Sequence, residues 1–293
     1  MASSSSGIFK QVRDGYHKDL CSKVLGSRGE DRGLNVADTS SNSSRKLARL
    51  MVEKMGFGLC QNPPVGQTAG SLFAQYTTNF LQKAFPLLKH LRPGKWVYKA
   101  TGATGIAGFD QYQHLMDLKK VLDENPEVKA ALGGDYLISP DIIIAREPAS
   151  DNDINESQNL IDQSERKISR LSPFRASNQA GEIVPILHAS ISCKWTMRSD
   201  RAQNTRTEAL NLIRNRKGPT PHIVAVTLEP LPTRLASIAM GTGDVDCTYH
   251  AALYELMEAA DESDLEDQAD MLNTLVGGRR LRDISDLPLD LAI

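Results

Sequence analysis

Two acidic residues and a lysine stand where they could support metal-assisted chemistry. Asp141 begins an apolar run, and Lys194 ends another run that starts at Ile186. Glu208 follows fourteen residues later in a helical pattern. Carboxylates can hold Mg²⁺ at a phosphodiester group, and a lysine amine can orient or deprotonate the attacking water. Each residue alone also fits a strand-edge acid or a solvated cation, but their shared context favours a phosphodiester-hydrolysing nuclease.

The elements that must position these residues can be located from the apolar pattern. Runs rich in Ile, Val and Ala predict strands at Trp96–Ala100, Asp141–Arg146, Val184–Trp195 and His222–Leu228. Apolar residues at helical spacing predict helices, at Ser71–Leu91, Gln111–Leu132 (which Pro126 can interrupt), Arg201–Asn215, Tyr249–Ala260 and Leu265–Leu275, with another after Ser43 and Ser44. Residues 8–43 are polar and weakly periodic. Helices on both sequence sides of the central strands indicate an α/β class with a mixed sheet.

Length and composition are those of a globular protein. The chain has 293 residues, of which 40% are hydrophobic and 24% charged. No apolar run approaches the roughly 18–20 residues that a membrane span needs, and the Ser-rich start is interpreted as a flexible tail over residues 1–8. The four cysteines are scattered without a CxxC pair. This distribution favours a reduced, cytoplasmic protein over a disulfide framework or a zinc site.

Charge is strongly segregated although the net charge is only −2. From Lys194 to Lys217 there are seven Lys/Arg and two acids, whereas Glu255 to Asp270 holds eight acids and no base. A basic stripe can contact nucleic-acid phosphates, but either run alone also fits a solvated helix face. The long polar stretch 147–181 is unusual for a connection within a domain and indicates function, assembly or disorder.

A glycine-rich segment competes for a functional role. Gly102, Gly105 and Gly108 follow a predicted strand, as a dinucleotide-binding turn would. About a hundred residues precede it, however, and no Tyr-x-x-x-Lys pair of a short-chain dehydrogenase occurs. A flexible glycine loop is therefore preferred, and an NAD(P)-binding oxidoreductase is the weaker alternative.

The candidate residues together resemble a known family. Pro140-Asp141, Ser192-Cys193-Lys194 and Glu208 are similar to the rearranged PD-(D/E)xK active site of the CCGG-reading type II restriction endonucleases. The resemblance extends over nearly the whole chain. It implies the PD-(D/E)xK restriction-endonuclease-like fold, a central mixed β-sheet flanked by helices, as a single endonuclease domain.

The resemblance also implies residue roles and partners. Asp141, the Cys193 backbone carbonyl and Glu208 would hold two Mg²⁺ ions, Lys194 would position the water, and Ser192 stands where most nucleases of this fold carry an acid. The implied substrate is the palindromic double-stranded site GCCGGC, cut to leave 5′ four-base overhangs. A homodimer would pair into a homotetramer through segment 147–181, in a bacterial cytoplasm.

Base reading can be argued partly from chemistry. Arg198 and Arg201 suit the O6 and N7 atoms of guanine, and Asp200 can accept from N4 of cytosine. The same cluster also fits a capped, ion-paired helix start. By resemblance, the outer G·C pair would be read by three further residues, Asp38, Gln67 and Arg234.

One position departs from the family pattern. Gly66-Gln67-Thr68-Ala69-Gly70 leads to Ala74, where the family carries a glutamate that completes the acidic cluster. Gln75 is no substitute, because it lacks a carboxylate and points about 100° away around a helix. We therefore expect impaired cleavage with DNA binding retained, and a non-cleaving, sequence-specific DNA-binding protein on the same scaffold is the main alternative.

Overall fold

A computed structural model describes residues 6–29, 32–100, 105–132, 138–162, 164, 167–178, 183–241 and 243–293. The predicted tail thus lies largely outside the described residues, and the first helix already begins at Ile8. Within these ranges, no helix is long and apolar enough to cross a membrane.

Six strands form one mixed sheet in the order β1 to β6. They are β1 (Trp96–Ala100), β2 (Ile142–Arg146), β3 (Ile186–Lys194), β4 (His222–Thr227), β5 (Cys247–His250) and β6 (Leu281–Asp283). β1 pairs with β2 antiparallel, whereas β4–β5 and β5–β6 are parallel. The central strands are continuous apolar runs because both of their faces are covered. The predicted α/β class with a mixed sheet flanked by helices is confirmed.

Helices lie before, between and after the strands along the chain. They are α1 (Ile8–Lys23), α2 (Asn42–Met55), α3 (Gly66–Ala84), α4 (His114–Glu124), α5 (Pro126–Leu132), α6 (Asp151–Ile154), α7 (Ser199–Asn215), α8 (Pro232–Ala239), α9 (Leu253–Asp261), α10 (Glu266–Gly277) and α11 (Leu287–Asp290). α2 shows why such helices stop where they do. Ser41 caps its start by accepting from the Ser44 N–H, and Gly56 ends it in the left-handed conformation, with φ of 74°.

The chain divides into two compact units. The first comprises residues 1–92, 191–209 and 223–293, and the second comprises residues 93–190 and 210–222. In the first unit, apolar residues of α1, α2, α3 and α9 form the core, including Leu20, Leu47, Phe80 and Leu256. Tyr16 donates or accepts a hydrogen bond with Thr77 at 2.9 Å and stacks at a tilt on Phe80, which joins α1 to α3.

The second unit is built around β1, β2 and the start of β3. The side chain of the buried Gln111 binds the backbone of β3 at Leu187. Its amide donates to the Leu187 carbonyl at 2.8 Å and accepts from the Leu187 N–H at 2.9 Å. In the polar segment 147–181, Arg175 forms a two-point ion pair with Asp151, at 2.7 and 2.9 Å. The described part of this segment is therefore folded on itself, with a short helix and a bridge from Ala149 to Arg175.

Several sequence-based boundaries need correction. α1 was missed, and so were α8, β5, β6 and α11. The helix expected from Tyr249 is wrong at its start, because Tyr249 and His250 belong to β5 and pair with β4. The long helix expected from Gln111 is interrupted at Asn125–Pro126, as the proline allows. Of the glycine motif, residues 101–104 lie outside the described residues, and Ile106–Gly108 form a short 3-10 turn.

Candidate active site

The end of β3 carries Ser192, Cys193 and Lys194. Ser192 is buried, and its hydroxyl lies 3.2 Å from that of Thr205 on α7. Because Thr205 donates its own proton to the Arg201 carbonyl at 3.0 Å, Ser192 must donate to Thr205. The serine that stands in place of an acid therefore ties the strand to the helix. Cys193 forms no disulfide, and the residue is only 6% exposed.

α7 carries the second acid and the polar cluster at its start. Glu208 is half-buried and lies three residues after Thr205, on the same helix face as the link to β3. At the helix start, Arg198 and Asp200 are exposed. Arg201 is half-buried, and its Nη1 donates to the carbonyl and hydroxyl of Thr196 at 3.0 and 2.9 Å. The cluster thus presents two side chains outward while the third is anchored.

The proposed readers of the outer base pair include a directly bonded pair. Arg234 on α8 donates to the Asp38 carboxylate, although the two residues are 196 positions apart. Asp38 also accepts from the backbone N–H and the hydroxyl of Ser40, at 2.9 and 2.7 Å. The bond from the Ser40 backbone N–H contributes most, and the bond from Arg234 contributes next. Together these bonds hold the pKa of the Asp38 carboxyl well below its usual range. Asp38 is therefore a carboxylate acceptor across the physiological range of pH.

The first turns of α3 hold Gln67 and Ala74. Gln67 is exposed, whereas Ala74 is 4% exposed and faces the interior. The neighbouring Phe73 packs edge-on against Trp195, which directly follows Lys194, with the ring centroids 5.5 Å apart. A carboxylate in place of the Ala74 methyl group would be enclosed rather than solvated. Such a group is stable only when it is paired with a cation or hydrogen-bond donors.

Asp141 is the one predicted site residue in the second unit. It is half-buried and directly precedes β2, whose residues Ile142–Ala145 are all buried. Every other candidate residue belongs to the first unit. The strand thus begins one residue later than the sequence predicts, and Asp141 lies directly before it.

Sequence reasoning missed one ionisable group in the first unit. Glu229 is fully buried between β4 and α8, and burial raises its pKa to about 7 against the opposing effects of the Met197 N–H and Arg234. The only sequence signal was a glutamate directly after an apolar strand, followed by Pro230.

The donor set suits Mg²⁺ better than a soft metal. Across the described ranges, no three His, Cys, Asp or Glu side chains form a group that could hold a metal ion. Mg²⁺ does not need such a cage, because it is bound by one or two carboxylates and keeps several waters. Two carboxylates and a backbone carbonyl, all oxygen donors, fit that requirement. The residues present are thus compatible with Mg²⁺.

Comparison with known proteins identifies the relationship. A profile of the family described as "NgoMIV restriction enzyme" matches residues 16–293. The chain belongs to this restriction enzyme family. It is also 45% identical over 289 residues to the type II restriction enzyme NgoMIV of Neisseria gonorrhoeae, which covers 98% of this chain and 99% of that protein. The predicted family is confirmed, and the match spans residues of both compact units.

Family membership also bears on the alternative that the glycine segment Gly102–Gly108 binds NAD(P). The mixed α/β sheet flanked by helices is consistent with a restriction-endonuclease-like fold, so the glycine segment belongs to an enzyme of this class. Its described part packs locally, since the Ile106 N–H donates to the Ile138 carbonyl at 3.1 Å.

Proposed function

We propose that this chain is a Mg²⁺-dependent type II endonuclease that hydrolyses phosphodiester bonds within the double-stranded palindrome GCCGGC and leaves 5′ four-base overhangs. The observation that carries the proposal is the family match over residues 16–293, together with 45% identity to a type II restriction enzyme. The chain would act as one endonuclease domain. Its four cysteines form no disulfide, which is in keeping with a bacterial cytoplasm.

In the proposed site, Asp141, the Cys193 carbonyl and Glu208 hold Mg²⁺, with two ions per site. The bound metal supplies charge stabilisation at the phosphate. Lys194 orients the attacking water, and its positive charge stabilises the hydroxide that remains when the water loses a proton.

Base reading is proposed for two groups of residues in the first unit. Arg198, Asp200 and Arg201 would read the inner C·G pairs, because guanidinium groups match guanine and a carboxylate matches the cytosine amine. Asp38, Gln67 and Arg234 would read the outer G·C pair by the same chemistry. The exposure of Arg198, Asp200 and Gln67 supports these roles.

The palindromic site calls for a twofold dimer, and we propose that two dimers pair through segment 147–181. Three large apolar side chains in that segment are exposed, namely Leu160, Ile168 and Leu171. Exposed apolar side chains favour a protein contact where they form one continuous patch, and the proposal assumes that these three do. The Arg175–Asp151 ion pair would hold this surface in shape.

Ala74 is proposed to impair cutting while leaving DNA binding intact. A non-cleaving DNA-binding protein is therefore the second candidate, and Ala74 is the observation that favours it. An NAD(P)-dependent enzyme has no comparable support from the family to which the chain belongs.

The decisive experiment is digestion of a plasmid of known sequence that carries two GCCGGC sites. With Mg²⁺ we expect fragments that map to both sites, and with Ca²⁺ or EDTA we expect binding without fragments. Binding to GCCGGC in Ca²⁺ with no cutting under Mg²⁺ or Mn²⁺ would support the non-cleaving alternative. Absence of both cutting and site preference would contradict the proposal.

A further inference from the structure

Glu229 is a buried carboxylate that contacts two separate backbone segments. Its Oε2 accepts from the Met197 N–H at 2.8 Å, and its Oε1 accepts from the Leu231 N–H at 3.2 Å. The Oε1 atom also lies 4.0 Å from Nη1 of Arg234. Both carboxylate oxygens are therefore used: Oε2 binds a segment 32 positions away, and Oε1 binds a residue two positions further on in the turn that leads from β4 to α8.

The backbone of Glu229 is held just as firmly as its side chain. Its N–H donates to the Thr227 hydroxyl at 3.1 Å, and its carbonyl lies 3.1 Å from Nε2 of His250. Nδ1 of His250 accepts from the Ala252 N–H at 3.1 Å, so Nε2 carries the proton and donates to Glu229. Burial lowers the pKa of His250 to about 4, which keeps this ring neutral.

The two segments that Glu229 holds lead directly to the two proposed groups of base readers. Met197 is buried and immediately precedes Arg198, the first residue of the inner-pair cluster. Leu231 immediately precedes α8, which carries Arg234 and through it contacts Asp38. A shift of the Glu229 carboxylate would therefore move both groups together.

We infer that Glu229 is a positioning residue for sequence specificity, which couples the readers of the inner C·G pairs to the readers of the outer G·C pair. The inference rests on the proposed function, since it assumes that Arg198 and Arg234 read bases. It adds a residue that touches no base itself. Its effect comes from the fixed distance between two reading groups.

The chemistry of the site explains why two acceptor oxygens are required. Two N–H donors face the two oxygens of Glu229, and the Arg234 guanidinium favours the charged form against burial, which raises the pKa of Glu229 to about 7. A glutamine at 229 has one oxygen and one NH₂ group. One of the two backbone N–H groups would then face another donor and lose its partner.

The test compares Glu229→Gln with Asp283→Asn in the full-length protein. Asp283 is a matched control, because it is another buried carboxylate of the first unit that accepts a backbone N–H, from Leu253 at 3.2 Å. It contacts none of the proposed readers. Binding is measured in Ca²⁺ to three duplexes, carrying GCCGGC, the outer-pair variant ACCGGT and the inner-pair variant GCTAGC.

For Glu229→Gln we expect the preference for GCCGGC over both variant duplexes to fall by about tenfold or more, as for loss of a charge-assisted hydrogen bond. Asp283→Asn should lower thermal stability but keep the parental preference. If Glu229→Gln does not fold, Thr227→Val provides the second test. It removes only the acceptor for the Glu229 N–H, and the same preference should fall to a smaller extent.

Retention of the parental preference by folded Glu229→Gln, or by Thr227→Val where the first variant fails to fold, would overturn the inference while the proposed function stands. An equal loss of affinity for all three duplexes would also overturn it, because that pattern indicates a general structural role. A parental protein with no preference for GCCGGC would refute the proposed function itself. The two failures are thus distinguishable.

Discussion

The Arg13 ion-pair network should make a large contribution to the stability of the first unit. Arg13 on α1 donates to the Asp283 carboxylate at 2.9 and 2.7 Å, and to the Glu255 carboxylate through two bonds of 2.7 Å. The Asp283 side chain is 0% exposed and that of Glu255 is 15% exposed. Replacing Arg13 with methionine keeps much of the volume but leaves two carboxylates without their cation.

The expected cost follows from the partners that remain. Four charge-assisted bonds at about 1.5–3 kcal/mol each set an upper limit. Asp283 keeps three other donors, namely the N–H groups of Leu253 and Ser285 and the Ser285 hydroxyl. We therefore expect Arg13→Met to lower the free energy of unfolding by about 3–5 kcal/mol, the range for breaking a buried pair.

The pH dependence of this cost has a definite sign. Burial alone would raise the pKa of Asp283 and Glu255, but the hydrogen bonds from Arg13 outweigh it and both pKa values are lowered. In the parental protein their contribution is therefore complete above about pH 4 and is lost as the pH falls through the lowered values. In Arg13→Met, only the bonds from Ser285 and Leu253 remain to oppose burial, and we expect the pKa of Asp283 to rise. The variant should then gain stability as the pH falls towards 5.

Urea unfolding of both proteins at pH 7.5 and pH 5 tests this reasoning. The difference in free energy of unfolding between the parent and Arg13→Met should be larger at pH 7.5 than at pH 5. Lys10→Met is a suitable control, because its ion pair with Asp14 is exposed and should contribute less than about 1 kcal/mol. A loss below about 1 kcal/mol for Arg13→Met, or a gap that widens at pH 5, would refute the argument.

Three further predictions concern the proposed function. Ala74→Glu should raise the Mg²⁺-dependent cutting rate about tenfold or more. The control Gln75→Glu adds the same charge at an exposed neighbouring position and should leave the rate unchanged. Equal rates for Ala74→Glu and the parent would show that position 74 is not part of the site. Asp141→Asn should slow cutting of GCCGGC, measured by gel assay of cleavage, by about a thousandfold. Its binding affinity in Ca²⁺, measured by gel mobility, should stay within about threefold of the parent. Cutting at the parental rate would exclude Asp141 as a metal ligand. Arg175→Ala should shift a tetramer towards dimers in sedimentation velocity, because it frees the segment held by Asp151; an unchanged sedimentation coefficient would contradict the proposed contact.

The error at α1 shows why some elements escape sequence analysis. Its buried face is formed by Arg13, Tyr16, His17 and Leu20, which have ideal helical spacing. Two of these residues are an arginine and a histidine, so the apolar period is broken in the sequence. They can be buried only because Asp283, Glu255 and the Ala251 carbonyl pair with them. A pattern search that counts apolar residues cannot detect a helix face whose polar side chains are buried with hydrogen-bond partners some 234 to 270 positions away.

The strand β5 illustrates a second limit. Cys247–His250 is short, and it is held by parallel pairing with β4 and β6 rather than by its own composition. The local sequence pattern predicts that the following helix begins at Tyr249. In the structure, Tyr249 instead pairs with β4 as part of the sheet. Long-range hydrogen bonding of this kind overrides propensity.

The sequence by itself determined the family, the central apolar strands and the candidate residues at their ends, because each depends on local pattern. Asp141 before β2, Lys194 at the end of β3 and Glu208 on α7 all lie on the predicted elements. Only the tertiary structure decided the partners. The Arg234–Asp38 pair and the contact of Glu229 with Met197 join distant stretches of chain, since such contacts depend on how the elements pack and no local spacing encodes them.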